Sequence, residues 1–266
     1  MNEIDIDIAE LRTGMHACGV IALRSFRNVV GHRKADQSWV TEADVEIERV
    51  LAERITARYP EHGIVGEEQT RQGIDREFLW ALDPIDGTAL FVSGLPGWGI
   101  SAGLLRHGEP YFGMIYFPLL EDCYWAGPTG DAMLNDQPIQ VLPPRPPDSQ
   151  DWLATPSDAH RRFTINFAGK TRGLGSTVGP FCYVARGSAL GGLISRAAIW
   201  DIAAGLAILQ AAGGVAVGLS GAPINTSAML DGRTLDEPAI LAAPHQIPAL
   251  RAIIAWHSRP EQTSER

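Results

Sequence analysis

Six residues, Asp83-Pro84-Ile85-Asp86-Gly87-Thr88, constrain this chain more than any other stretch. They follow the apolar run Phe78-Leu79-Trp80-Ala81-Leu82, which reads as a buried strand. Two carboxylates three residues apart therefore stand at a strand end. Pro84 fixes its own φ and biases Asp83 toward an extended conformation. Gly87 permits a sharp turn or a close approach to a ligand, and Thr88 adds a hydroxyl. Such a turn can aim two carboxylates and a backbone carbonyl at one point. That suits a hard, oxygen-seeking cation such as Mg²⁺. A helix beginning near Gly87 would direct its free N–H groups to the same point and favour a phosphate. The same six residues also make an ordinary turn, so the other acidic positions decide between the two readings.

Those positions are Asp44, the pair Glu67-Glu68 and Asp201. Each has a plain structural role available. Asp44, three residues after Thr41, could complete a capping box; Glu67-Glu68 could be a solvated loop pair; Asp201 could cap a helix. Taken together they form a pattern. Val40-Thr41-Glu42-Ala43-Asp44, Gly66-Glu67-Glu68, Asp83-Pro-Ile-Asp-Gly-Thr88 and Trp200-Asp201-Ile-Ala-Ala-Gly205 resemble, in order and approximate spacing, the motifs of the inositol monophosphatase superfamily. The resemblance runs from the first helix to about Ala243.

The resemblance implies an α+β fold, a layered α-β-α-β-α sandwich of the inositol monophosphatase/fructose-1,6-bisphosphatase type. It implies a Mg²⁺-dependent phosphoric monoester hydrolase with two to three ions per active site, acting on a small phosphorylated metabolite, and a homodimer. Glu67, Asp83 and the Ile85 carbonyl would hold one ion; Asp83, Asp86 and Asp201 a second; Glu67 and water a weaker third. The catalytic roles would fall to Asp44, Thr88 and Glu67, with Asp44 and Thr88 orienting and deprotonating the attacking water. Phosphate would be bound by the N–H groups of Gly87 and Thr88. Lys34 falls in a loop that is mobile in the family, and a solvated lysine is the simpler expectation.

Substrate choice is expected from Gly175 to Arg196, with Ser188, Ala189, Ile194 and Arg196 as candidate contacts. Relatives that hydrolyse inositol phosphates carry acidic acceptors for the polyol hydroxyls before the Trp-Asp motif. A gapless alignment puts Leu190 and Ile194 at those positions, which argues against an inositol substrate. The first candidate is histidinol phosphate or a similar non-inositol substrate. The alternatives are an inositol phosphate, fructose 1,6-bisphosphate, 3′-phosphoadenosine 5′-phosphate and, in a different class, a protein-binding regulator with residual phosphatase activity.

Composition narrows the partners. The 266 residues carry a net charge of −9 with 20% charged and 45% hydrophobic residues. This fits a globular chain and disfavours nucleic acid or an anionic membrane as partner. Three cysteines, odd in number and widely spaced, fit a reducing, cytoplasmic setting, and the acidic N-terminus lacks the charge pattern of a signal peptide. Periodicity predicts helices over about Ile4–Val30, from Thr41 to the stop at Pro60, over Ile202–Ala212 and over Ile247–Trp256. Strands are predicted at 63–66, 78–82, 98–105, 110–117, 122–126, 215–219 and 239–243. The run Pro143-Pro144-Arg145-Pro146-Pro147 reads as a linker between an N-terminal half, 1–142, carrying most of the metal ligands, and a C-terminal half, 148–266, carrying Asp201 and the substrate pocket.

Overall fold

The structure, a computed structural model, describes residues 5–257 except Thr129 and Pro147. The start of the first expected helix at Ile4, the N-terminal run 1–4, the last proline of the linker and the end of the C-terminal half, 258–266, lie outside the described residues.

Helix α1 (Ile8–Ser25) starts where Asp7 accepts from the Glu10 N–H, 3.1 Å. It buries Leu11, Met15, Cys18 and Ala22, a single stripe at helical spacing. It ends five residues before the predicted Val30, because Phe26 turns inward onto the rings of Phe91 and Trp98. The short strands β1 (His32–Arg33) and β2 (Trp39–Val40) pair across a polar turn. Helix α2 (Glu42–Arg58) follows, capped by Thr41.

The larger sheet holds β3 (Gly63–Gly66), β4 (Arg71–Gln72), β5 (Phe78–Asp86), β6 (Gly99–Arg106), β7 (Glu109–Phe117), β8 (Asp122–Ala126), β9 (Ala132–Leu134) and β10 (Gln137–Ile139), with the five-residue helix α3 (Thr88–Val92) after β5. Its order is β10-β9-β8-β7-β6-β5-β3-β4. Only β3 and β5 pair in parallel, setting Gly66 beside Leu82.

The second half contributes β11 (Trp152–Thr155), α4 (Ala159–Arg162), β12 (Phe163–Ile165), β13 (Lys170–Gly173), α5 (Val178–Ala185), β14 (Gly191–Ile194), α6 (Ile199–Ala211), β15 (Val215–Gly218), β16 (Ala239–Ala242), α7 (Ile247–Ile253) and β17 (Ile254–Trp256). Its main sheet runs β13-β11-β14-β16-β15. The last predicted helix stops early: Ile254–Trp256 leaves helical geometry to pair with Phe163–Ile165. The stretch 181–185, read only as apolar, is the end of α5.

Among the described residues three apolar clusters separate five layers. One packs α1 and α2 on the larger sheet through Met15, Ile47 and Trp80. A second fills the space from that sheet through α5 and α6 to the smaller sheet, joining Ile115, Phe181, Ile202 and Leu241. The third lies under α4 and α7 with Leu153, Ile240 and Leu250. This is the expected α-β-α-β-α sandwich. The middle cluster draws on both sides of the proline run, so the two halves share one core. Gly103 and Gly113 let α6 lie almost on the larger sheet: a Cβ there would meet the Ala204 backbone at 2.5 and 2.2 Å. That approach brings the start of α6 to the end of β5.

Candidate active site

The strand β5 would ordinarily point Asp83 and Asp86 to opposite faces, because side chains alternate. It does not run regularly. Asp83 pairs with Ser101 and Asp86 with Gly99, so three steps on β5 match two on β6. One residue is therefore inserted at Pro84-Ile85. Such a bulge suits Pro84, which has no N–H to give to the ladder, and it turns both carboxylates to one side. Asp201 arrives from α6. Oxygens of Asp83, Asp86 and Asp201 lie within 4.8 Å of one another.

Each carboxylate is also held from behind. Asp83 accepts from the Ile85 N–H, 3.1 Å. Asp86 accepts from Thr177 and Val178 N–H, 2.9 and 3.0 Å, at the start of α5. Asp201 accepts from Ala198 N–H, 2.6 Å, as the third residue of α6 rather than its cap. Glu67 follows β3, beside Asp83, its N–H bonded to the Leu82 carbonyl at 3.1 Å. Asp44 completes the capping box with Thr41, and its second oxygen receives the Thr88 hydroxyl at 3.3 Å. The same hydroxyl lies 3.0 Å from the Ile85 carbonyl. The plain structural role and the site role thus coexist in Asp44.

Gly87 adopts φ 90°, at the head of α3. A Cβ there would come 3.2 Å from Ser176 Cβ and 3.4 Å from the Gly175 carbonyl. The segment 174–177 therefore abuts the turn, a neighbour the sequence reading placed only at the margin of its substrate segment. Leu90 fills the same corner: Cβ atoms at Gly97 and Gly175 would meet its methyls at 3.4 and 2.7 Å.

Burial and mutual repulsion set the electrostatics. Burial first, then the charges of Glu67, Asp86 and Asp201, push the Asp83 carboxyl well above its usual range. Burial, then Glu67 and Asp86, does the same to Asp201. Burial raises Asp86 to about 6 against its two N–H donors, and raises Asp44 to about 6 against its Thr41 bonds. Three crowded carboxylates, Asp83 and Asp86 buried and Asp201 half-buried, with all-oxygen donors fit a hard divalent cation, which would let them ionise together.

Lys34 is not a free surface lysine but a half-buried, ion-paired one. Its ammonium lies 2.9 Å from Glu67 and 2.7 Å from Glu68. Burial opposes its charge, but Glu67 and Glu68 outweigh that and leave its pKa raised. Burial lifts Glu68 to about 7 despite this partner.

The four expected substrate contacts are not gathered here. Ser188 and Ala189 lie past the C-terminal end of α5, whose other end meets Asp86. Seven residues at ~1.5 Å each separate Val178 from Ala185. Ser188 is exposed and bonds Arg186, while Ala189 is buried. Ile194 is 3% exposed and packs in the middle cluster, and Leu190 packs in the cluster under α7. Arg196 is exposed, at φ 58°, lining a cleft of about 330 Å³ with Arg162, Ser195 and Trp256, none of which belongs to the acidic group. The gapless alignment gave these positions a counterpart in the relatives but carried no information on which way β14 faces.

A family model described as the inositol monophosphatase family matches residues 2–259. The chain belongs to the inositol monophosphatase family. A fructose-1,6-bisphosphatase/inositol-1-monophosphatase of Aquifex aeolicus is 31% identical over 214 residues, covering 75% of this chain and 79% of its own. A histidinol-phosphatase of Chlorobaculum parvum is 32% identical over 189 residues, covering 68% and 73%. Among solved structures, an IMPase of Thermotoga maritima superposes with a TM-score of 0.82 at 25% identity, covering 93% of this chain and 96% of its own. The chain is thus a phosphoric monoester hydrolase of a family that in general depends on Mg²⁺. Among the described residues no helix is long and apolar enough to cross a membrane.

Proposed function

We propose that this inositol monophosphatase-family enzyme hydrolyses a small, non-inositol phosphomonoester, with histidinol phosphate the first candidate, using two to three Mg²⁺ ions. The observation that carries the metal reading is the convergence of Asp83, Asp86 and Asp201 within 4.8 Å, the first two turned one way by the β5 bulge and the third brought in by α6. Asp83, Asp86 and Asp201 would hold one ion, and Glu67, Asp83 and the Ile85 carbonyl another. A third would lean on Glu67. Bound there, the ions would supply an activated water and neutralise phosphate charge.

The chain's own groups do the rest. Thr88 gives its hydroxyl hydrogen to Asp44 or to the Ile85 carbonyl, leaving its oxygen free to accept from water. Asp44, raised to about 6, is ionised near neutral pH and close enough to that pH to take a proton. The N–H groups at Gly87 and Thr88 head α3, where the first donors of a helix have no intrahelical partner, and would receive phosphate oxygens.

The preference for a non-polyol leaving group rests on different residues from those the alignment suggested. The corner beside Gly87 is made by Leu90, the Leu174 and Gly175 carbonyls and Ser176, and none of these is a carboxylate that would accept from a polyol's hydroxyls. The relative named a histidinol-phosphatase supports the first candidate. The test is a Mg²⁺ assay over histidinol phosphate, fructose 1,6-bisphosphate, 3′-phosphoadenosine 5′-phosphate and myo-inositol 1-phosphate. Histidinol phosphate is expected to give the highest kcat/KM; highest turnover of myo-inositol 1-phosphate would refute the substrate reading.

A further inference from the structure

Glu48 belongs to none of the motifs, yet its carboxylate organises one of them. It lies on α2 one turn after Asp44, so both project from the same helix face. It is 2% exposed. Its Oε2 accepts from Glu68 N–H at 2.7 Å, and its Oε1 accepts from Gln69 and Thr70 N–H at 2.8 and 2.7 Å. The turn closes on itself through Gly66 N–H to the Thr70 carbonyl, 2.7 Å. Gly66 itself has no room for a side chain: a Cβ would sit 2.3 Å from Glu48 Oε2.

Charge alone would not place Glu48 here, because the segment it holds carries Glu67 and Glu68. The attraction is to backbone donors. A carboxylate offers two oxygens that only accept, which matches three convergent N–H groups; an amide would turn an NH₂ against at least one of them. The result is that α2 carries two linked settings. Asp44 faces Thr88, and one turn on, Glu48 fixes the backbone from which Glu67 reaches toward Asp83.

We infer that Glu48 is a positioning residue that presets Glu67 for the cation, so that the free enzyme holds its metal-binding turn ready. The inference rests on the metal reading above. Glu48→Gln removes the matched acceptor. Gly66→Ala leaves the charge intact but pushes the carboxylate off its donors. Ile47→Val, in the buried stripe of the same helix, is the control for mere destabilisation.

Mg²⁺ uptake of the full chain, measured by titration calorimetry, and the Mg²⁺ concentration for half-maximal hydrolysis should both rise about 10–100-fold in Glu48→Gln and Gly66→Ala, the scale seen when groups supporting a ligand are lost. Substrate KM at saturating Mg²⁺ should stay within about twofold of wild type on that argument. Ile47→Val should lower the melting temperature and leave both Mg²⁺ values alone. A folded Glu48→Gln enzyme with wild-type Mg²⁺ affinity overturns the inference. Hydrogen exchange in the unmodified protein decides it if neither variant folds. Amides 68, 69 and 70 should be protected without Mg²⁺, and protection gained only on adding Mg²⁺ would mean that the metal, not Glu48, orders the turn. Wild-type protein that takes up no Mg²⁺ fails earlier and removes the metal reading along with this one.

Discussion

The two ends of α5 make an instructive pair. At its N-terminus, Thr177 and Val178 donate to Asp86, and the acidic group, the Gly87 turn and the 174–177 segment converge. At its C-terminus, Arg186-Gly187-Ser188 pack toward Tyr124 and the residues before the proline run. Both ends carry polar residues in glycine-containing loops, and the sequence reading spread substrate choice over both, from Gly175 to Arg196, while putting its four candidate contacts at or beyond the second. Of the two, the first adjoins the acidic group. Polar residues beside a glycine say that a loop is present, whereas a carboxylate that also caps across to another element says where the loop must go.

The largest effect should come from the shared acidic group. Asp83→Asn should lower kcat/KM by more than about 100-fold, beyond what loss of a mere supporting group costs, and EDTA should abolish activity until Mg²⁺ is restored. Asp201→Asn is sharper. Its amide oxygen can still accept from Ala198 N–H, so the start of α6 survives while a charged ligand is lost. Near-normal melting with a comparable fall in rate is expected. Near-normal turnover would reduce Asp201 to a structural residue.

Next in size is Ile194→Glu. The gapless alignment expected this change to invite inositol phosphate. In the structure it would bury an unpaired carboxylate in the middle apolar cluster, at a cost of about 3–5 kcal/mol. That corresponds to a melting-temperature drop of roughly 6–20 °C in a chain of this size. A stable variant that turns over inositol phosphate faster would restore Ile194 to the pocket.

The contrast between legible and illegible parts has a physical source. Asp44, Glu67, Asp83, Asp86 and Asp201 stood out because a hard cation restricts residue type, and because short local devices place them: a capping box, a strand end, a proline bulge. Their order along the chain was enough for the family and the layered fold. The bulge itself was hidden, since Asp-Pro-Ile-Asp spacing does not reveal that both side chains share a face. Glu48 was hidden because a glutamate on a helix usually faces water. Lys34 was misread for the same reason. The facing of β14 depends on packing against α5 and β16, which no single stretch encodes. Helix ends slipped where a tertiary contact decided them, as Phe26 does for α1 and the β12 pairing does for Ile254.

A moderate effect concerns pH. Asp44 and Asp86 sit near 6 in the folded protein, above the ordinary value of 3.8. The native state therefore holds those protons more tightly than the unfolded chain. Their contribution to stability is fullest below about pH 4 and is lost as the pH rises through about 6. Metal reverses the penalty by stabilising the ionised forms. The gain in melting temperature from saturating Mg²⁺ should thus grow between pH 4 and 7, and comparing samples with and without Mg²⁺ cancels the exposed carboxylates such as Asp231. A gain that is flat across this window would mean that Asp86 does not meet the metal.

The smallest expected effects test the α5 comparison directly. Ser188→Ala removes a hydroxyl that accepts from Arg186 on an exposed loop, costing at most about 1 kcal/mol of stability. Arg196→Ala removes an exposed guanidinium from a cleft that contains none of the acidic group. Both should keep kcat/KM within about twofold, because neither side chain reaches the end of α5 that Asp86 caps, about 10 Å away along the helix from Ala185. Ser176 lies at the other end. Its hydroxyl accepts from Gly179 N–H at 3.2 Å and its Cβ stands 3.2 Å from where a Gly87 Cβ would be. Enlarging it, as in Ser176→Leu, should crowd the phosphate turn and raise KM about tenfold or more, since misplacing a reacting group by about 1 Å can cost on the order of 100-fold. If instead Ser188→Ala or Arg196→Ala raised KM while Ser176→Leu left it unchanged, substrate would be held at the C-terminal end of α5, and the two ends would exchange roles.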